Sequence, residues 1–299
     1  MKYAADIMPP YPLSAYPRLI INAAITGMVA GRDDSPHVPL TSDQMIQAAV
    51  DCRNAGAAII HLHARDEEMR PTYKKERYQV LLEGIRHRCP DLILCVSTSG
   101  RLFSSFAHRS EVLDLAGDSR PDMASLSLGS LNFPAGASVT DPEMIQQLAE
   151  KMRQTGILPE LEIFDSGMLY TMKEMIRRQV LRPPHYCNLI LGSTFSTAAT
   201  VHQLSSMVKD IPDNVQWAGA GIGPFQLKMN LAAMLMGGHV RVGLEDNLYY
   251  DSARTIPATN PRLIERITRL AGEIGREVAS PAEARSLLGI GSDPPPSSG

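Results

Sequence analysis

The chain predicts a (β/α)8 TIM barrel in a single α/β domain. Short apolar runs and helical segments alternate eight times over about 250 residues, the size and rhythm of that barrel. No linker or break in composition interrupts the alternation. A doubly wound open sheet is the alternative. Its usual glycine-rich phosphate loop after the first strand is missing, because Gly27 stands alone without a GxGxxG pattern.

The elements follow in order. Residues 1–17 are rich in proline and read as an extended arm lying on the body or on a neighbouring subunit. Arg18 to Thr26 is a first buried strand ended by Gly27, and a loop from Met28 to Leu40 follows. Thr41 and Gln44 form a capping box for a helix that stops at Gly56. Ala58 to Asp66 is the second strand. A helix from Lys74 to Arg88 stops before Pro90, and Leu92 to Ser97 is the third strand. A short helix over Arg109 to Ala116 leads to a strand at Met123 to Leu128. Asp141 caps a helix to Thr155 with Pro142 at its first position. Strands at Leu158 to Phe164, Tyr186 to Leu191, Val215 to Ala220 and His239 to Leu244 then alternate with helices at Gly167 to Gln179, Thr200 to Asp210, Phe225 to Met236 and Asn260 to Ile274. Ser280 to Glu283 caps one more short helix, so the barrel domain spans residues 18–290. The proline-rich tail, 291–299, reads as disordered.

Bulk properties narrow the function. A net charge of −3 with no long run of one sign gives no footprint for nucleic acid or a membrane surface. No apolar stretch approaches the roughly 20 residues of a membrane span, and the N-terminus lacks a signal-type apolar core, so a cytoplasmic setting is expected. Cys52, Cys89, Cys95 and Cys187 form no CxxC pair and read as reduced, buried thiols.

In such a barrel the active site lies at the C-terminal ends of the strands. The residues there are polar: Asn22 and Thr26; His61, His63, Arg65 and Asp66; Ser97, Thr98 and Ser99; Ser125, Ser127 and Asn132; Glu160, Glu162 and Asp165; Ser193 and Thr194; Arg241, Glu245 and Asp246. Such a ring is hard to explain as packing, since a buried charge costs several kcal/mol unless it is paired or binds a metal. Successive strand residues face opposite sides, so His61 and His63 share a face and Leu62 takes the other. In isolation this HxH pattern reads either as two hydrogen-bonded core histidines or as a pair of metal ligands. Arg241, Gly243 and Glu245 share a face at period two, which lets Glu245 point inward as a third ligand of a zinc site with open positions. The alternative for Arg241 is a structural ion pair with Glu162 or Glu245. Asp246 faces elsewhere and is either a base or a cap for the next loop.

These residues, together with Ala24-Ile25-Thr26-Gly27, His61-Leu62-His63-Ala64-Arg65, Ser97-Thr98-Ser99-Gly100, Leu131-Asn132-Phe133, Pro159-Glu160-Leu161-Glu162, Asp165-Ser166-Gly167-Met168, Ala220-Gly221-Ile222-Gly223 and the long run Gly237 to Asn247, resemble the β-keto acid cleavage enzymes. The resemblance covers about Arg18 to Leu288. It implies the same barrel and a divalent metal, usually zinc, on His61, His63 and Glu245. It also implies condensation of a β-keto acid with acetyl-CoA, giving acetoacetate and a new CoA ester by a retro-Claisen route. By the same resemblance Asp246 is the base, tuned by Arg241, with Glu162 supporting Arg241, and the protein is a homo-oligomer, a dimer or tetramer. An aspartate beside a fixed cation is expected to keep a low pKa. Ser97, Thr98 and Ser99 can hydrogen-bond the substrate carboxylate, and Ser125 stands where the family often has Thr.

Departures from the family pattern bear on specificity. The family's amine-binding enzyme, which acts on 3-keto-5-aminohexanoate, has a glutamate where this chain has Val29, so an apolar or anionic β-keto acid is expected instead of a cationic one. Ser127 replaces an asparagine, Phe195 in the loop after the sixth strand is expected to line the pocket, and Pro224-Phe225 replaces Arg-Trp. Two rivals stand beside this reading. One is a metal-dependent aldolase or hydrolase working without CoA. The other is a metabolite-binding barrel that has lost its chemistry, against which the intact Arg241, Asp246 and ligand set argue.

Overall fold

A computed structural model describes residues 16–134 and 136–291. Apart from Tyr16, Pro17 and Gly291, the arm and tail expected from sequence lie outside the described residues. Eight parallel strands close a barrel: β1 (Ile21–Ala24), β2 (Ile59–Leu62), β3 (Ile93–Val96), β4 (Met123–Ser127), β7 (Leu158–Ile163), β8 (His185–Leu191), β9 (Val215–Gly221) and β10 (His239–Val242). β1 closes the ring between β2 and β10. The helices are α1 (Ser42–Ala55), α2 (Lys75–Arg88), α3 (Phe106–Ser110), α4 (Pro142–Thr155), α5 (Ser166–Arg177), α6 (Val201–Lys209), α7 (Gln226–Leu235), α8 (Asn260–Glu273) and α9 (Pro281–Leu287). Among the described residues, no helix is long and apolar enough to cross a membrane.

Local chemistry explains the boundaries. Thr41 and Gln44 make the expected capping box, and Gly56 ends α1 in the left-handed region. Asp141 caps α4 through the Met144 N–H, with Pro142 just inside. Ser280 and Glu283 form a second box at α9. The segment expected as a helix over Arg109 to Ala116 is instead α3 followed by a 3-10 turn over Glu111–Asp114. The start lies earlier because the Ser105 hydroxyl accepts the His108 N–H. A hairpin of β5 (Leu131–Phe133) and β6 (Gly136–Ser138) follows β4. Three-residue strands carry too little periodicity to be read from sequence.

Two apolar layers hold the barrel. Outward residues, among them Ile21, Ile60, Leu62, Leu94 and Leu161, are buried against the helices. Inward residues Ile20, Ile59, Ile93, Met123 and Tyr186 fill the barrel floor, where Ala284 of α9 and Leu288 just beyond it close the bottom. Burying a leucine such as Leu288 contributes about 1.5–3 kcal/mol. Above this floor the inward positions become polar.

Candidate active site

The polar layers are set by register. Across β1 and β10, Asn22 pairs with Arg241; across β2 and β3, His61 pairs with Cys95; across β4 and β7, Ser125 pairs with Glu160 and Ser127 with Glu162. Three strands, β2, β7 and β10, therefore raise His61, Glu160, Glu162 and Arg241 to neighbouring levels inside one barrel.

His61 and His63 bring their Nε2 atoms within 3.2 Å of each other. His63 Nε2 lies 3.2 Å from Glu245 Oε1, and His61 Nε2 lies 3.8 Å from Glu245 Oε2. Glu245 Oε2 is buried with no hydrogen-bond partner among the described residues. These atoms form a group that could hold a metal. Two zinc–nitrogen bonds of about 2.0–2.1 Å at a tetrahedral angle set their nitrogens about 3.3 Å apart, close to the separation observed. An ion there would also satisfy the orphaned Glu245 oxygen.

The support beneath this trio fixes its chemistry. Glu160, fully buried, accepts His61 Nδ1–H at 2.6 Å, which fixes the ring with Nε2 turned toward His63 and Glu245. Burial pushes the His61 imidazolium down, but Glu160 and Glu245 outweigh it and hold it at about 9. Burial raises the Glu160 carboxyl, yet His61 and Arg241 draw it down to about 2. Burial lowers His63 against the pull of Glu245. His61, Cys95 and Glu160 form a second cluster with ligand-type atoms. Burial and Glu160 hold the Cys95 thiol well above its ordinary value, so it stays protonated and donates to Glu160 Oε2 at 3.2 Å. That cluster is a hydrogen-bonded support.

Arg241, 2% exposed, is the electrostatic hub. Its Nε and Nη2 donate to both oxygens of Asp246 at 3.0 and 3.3 Å, Nη2 donates to Glu245 at 2.8 Å, and Nη1 donates to Glu162 at 3.2 Å. The ion pairs weighed from sequence are thus both present, alongside the one with Asp246. Two expectations are corrected. The strand ends at Val242, and Glu245 reaches inward from a turn instead of by continuing the period of two. Gly243 makes that turn at φ +156, where a Cβ would meet the Ala24 carbonyl oxygen at 2.1 Å. The turn carries Asp246 into the same cavity as Glu245, so it does not face elsewhere. The second correction concerns Asp246 itself: burial outweighs Arg241, and Glu245 adds to it, so its carboxyl lies above the ordinary value instead of below it.

A cavity of about 300 Å³ opens over this cluster. Val29, Ser97, Ser99 and Ser127 line it with His63, Glu162, Arg241, Glu245 and Asp246. Ser97 Oγ accepts the Ser99 N–H and Ser99 Oγ accepts the Arg101 N–H, so both hydroxyl protons remain available to a ligand. Ser127 donates to Glu162 at 2.8 Å. Thr98 and Ser125 do not line the cavity. Thr98 donates through its hydroxyl to the Ser125 carbonyl at 2.6 Å and through its N–H to Ser125 Oγ at 3.2 Å, which ties the β3 loop to β4. Asn132 is exposed on the hairpin. Phe195, 58% exposed, is not part of the cavity wall, against expectation; Ser193 and Thr194 take that place. Arg65 is spent on the carbonyls of Gly27 and Ala30.

Residues 18–290 match the family model for beta-keto acid cleavage enzymes. The chain belongs to that family. A 3-keto-5-aminohexanoate cleavage enzyme of Fusobacterium nucleatum is 38% identical over 275 residues, covering 91% of this chain and 98% of its own. A 3-oxoadipate:acetyl-CoA acetyltransferase of Cupriavidus necator is 36% identical over 278 residues, covering 91% of this chain and 94% of its own. Among solved structures, the binary complex of ObcA with oxaloacetate superposes with a TM-score of 0.77 at 21% identity, covering 86% of this chain and 68% of that one, a likeness of fold. This protein is accordingly an enzyme of the β-keto acid cleavage kind.

Within this family member, Asn188 and Arg101 escape the sequence reading, and Glu160 is read there only as one of the polar ring. Glu160 shares a face with Glu162 two positions on, so its depth was legible, but its pairing with His61 across the barrel was not. Asn188, inside the barrel, has an amide with no partner among the described residues. Arg101, a loop residue with no motif of its own, folds back into the cavity.

Proposed function

We propose that this enzyme condenses a β-keto acid with acetyl-CoA to give acetoacetate and a new acyl-CoA, with zinc or another divalent ion held by His61, His63 and Glu245. The observation that carries the proposal is the meeting, at the floor of one cavity, of that ligand trio, of which His63 and Glu245 line the wall, with an Asp246 carboxylate clamped by Arg241. When bound, the ion would act as a Lewis acid on the β-keto oxygen. Ser97 and Ser99 offer free hydroxyl protons to the substrate carboxylate. Asp246 takes a proton from the C2 methylene between the two carbonyl groups. Its burial makes it a stronger base than a solvated aspartate. C2 then bonds to the acetyl carbon as the CoA thiolate leaves. The thiolate adds to the original keto carbon and the C2–C3 bond breaks. The electron pair stays on the acetoacetate carbon, which regains the proton from Asp246. Arg241 holds Asp246 by both oxygens and Glu245 by one, so the base and the ligand keep a fixed spacing.

The relatives named above act on an aminated and on a dicarboxylic substrate, and similar identities do not choose between them. Val29, which lines the cavity, offers no anion to an ammonium group and favours a non-cationic β-keto acid. Purified protein incubated with a panel of β-keto acids and acetyl-CoA should yield acetoacetate. Product formed without CoA would favour an aldolase or hydrolase on the same ligands. Asp246→Asn should lower turnover by about 10²–10⁴-fold with metal still bound, and retained activity would reject the base.

A further inference from the structure

We propose that Arg101 receives a second carboxylate at the far end of the substrate, which makes this protein selective for a β-keto dicarboxylic acid. This rests on the reaction proposed above and goes on to name its substrate class. Arg101 lines the cavity beside Val29, Ser97 and Glu245. Its guanidinium carbon sits 3.3 Å from the centroid of the Phe133 ring, on the hairpin. Phe133 in turn meets Phe164 edge to face at 6.5 Å. The ring covers one face of the guanidinium and leaves its donors, which lie in the plane, free for a bidentate anion. The Ser97–Ser99–Arg101 hydrogen-bond relay holds the backbone beneath it.

Among the described residues the side-chain donors of Arg101 are free. Among the described residues no carboxylate forms an ion pair with its guanidinium, and no side-chain or carbonyl oxygen accepts from it. By contrast, Arg241 is bonded to three carboxylates, and Arg65 and Arg109 are spent on carbonyl oxygens. The cavity acids cannot serve Arg101, because Arg241 and the ligand trio hold them in place. A half-buried guanidinium without a protein partner is costly unless a ligand supplies the anion. A phosphate of CoA is a poor candidate. Arg101 lines the same cavity as Glu162, Glu245 and Asp246, which puts it on the keto acid's side of the site. The CoA phosphates lie at the opposite end of the pantetheine arm from the thioester. The substrate's own chain is what places a second anion inside the cavity.

The test compares 3-oxoadipate with 3-oxohexanoate, equal in length and differing in the terminal carboxylate, in wild type, Arg101→Met and Arg101→Lys. Wild type should prefer the diacid. Arg101→Met should lower the ratio of the two kcat/KM values by about 10–100-fold, chiefly through KM for the diacid, and Arg101→Lys should lower it less. An unchanged ratio, with both substrates falling together, would overturn the proposal and assign Arg101 to the carboxylate all β-keto acids share or to CoA. Binding of unreactive adipate and hexanoate to the metal-loaded protein, read by calorimetry, needs no turnover. If wild type makes no acetoacetate from any β-keto acid, the proposed reaction fails, while tighter binding of adipate that is lost in Arg101→Met would still uphold the anion site. Equal binding of the two acids by wild type would reject it.

Discussion

Glu160→Gln isolates the support of the metal trio from the trio itself. The substitution keeps the shape of the side chain and removes its charge. Glu160 accepts three donors: His61 Nδ1 and Cys95 Sγ at one oxygen, Asn22 Nδ2 at the other. A glutamine can keep its oxygen toward His61 and turn its NH₂ toward Asn22. Asn22 can then turn its own amide over, because its Oδ1 has no partner among the described residues. The hydrogen-bond geometry thus survives, and the loss falls on the His61 bond. A bond to a charged group contributes about 1.5–3 kcal/mol and a neutral one about 0.5–1.5, so the change costs His61 roughly 1–1.5 kcal/mol, or about tenfold in metal affinity. Loss of ligand basicity adds to this, and such supporting groups are worth about 10–100-fold overall. The assay is competition for zinc with a chromophoric chelator at fixed pH, with near-ultraviolet circular dichroism as a check on the fold. Affinity unchanged within about twofold would refute the reasoning that Glu160 orients and enriches the His61 ligand, since about 1 kcal/mol is already fivefold.

Three further outcomes follow from the same geometry. Dialysis against a chelator should abolish activity and lower the Tm, and zinc should restore both; saturation at 100 times the Kd is worth about 2.7 kcal/mol of stability. Gly27→Ala should weaken metal binding and lower the Tm, because Gly27 sits at φ +72 and a Cβ there would lie 2.8 Å from Glu245 Cγ. The left-handed conformation alone costs an alanine about 1–2 kcal/mol, and wild-type metal affinity in this variant would show that Glu245 needs no such clearance. Val29→Glu should improve use of a cationic 5-amino β-keto acid by no more than about fivefold, because the position is 68% exposed and such pairs are worth about 0.2–1 kcal/mol. A gain of several orders of magnitude, measured as kcat/KM, would place the ammonium in a drier environment than the structure gives it.

Much of the barrel was legible because its signals are local. The Thr41–Gln44 and Ser280–Glu283 capping boxes, the Asp141–Pro142 start and the Gly56 stop each depend on residues within a few positions of one another, and each falls where the spacing puts it. The same holds for His61 and His63, whose shared face follows from the period of a strand. The neighbourhood of Glu245 and the two histidines follows from the closure of β10 onto β1 and β1 onto β2, which the eightfold alternation already implies, whereas the Gly243 turn that aims Glu245 inward does not.

What was not legible depends on turns and on distance in sequence. Asp246 departs from the expected face because the strand period does not run through Gly243, where a positive φ ends the strand and turns Glu245 and Asp246 inward while Leu244 stays in the outer apolar layer. The raised carboxyl of Asp246 has the same origin: one cation had been counted beside it, whereas Arg241 is shared with Glu162 and Glu245, and burial then prevails. Arg101 was invisible for another reason. Its place is set by Phe133, on a hairpin whose strands are three residues long, and by a serine relay that leaves no periodic trace. The proposed metal ligands and base stand on barrel strands or just past their ends, and strand order constrains them. The residue proposed to choose the substrate stands on a loop and a hairpin, which can change without disturbing the barrel. Specificity is therefore the part of this enzyme that sequence pattern says least about, and the part for which the geometry of a single guanidinium says most.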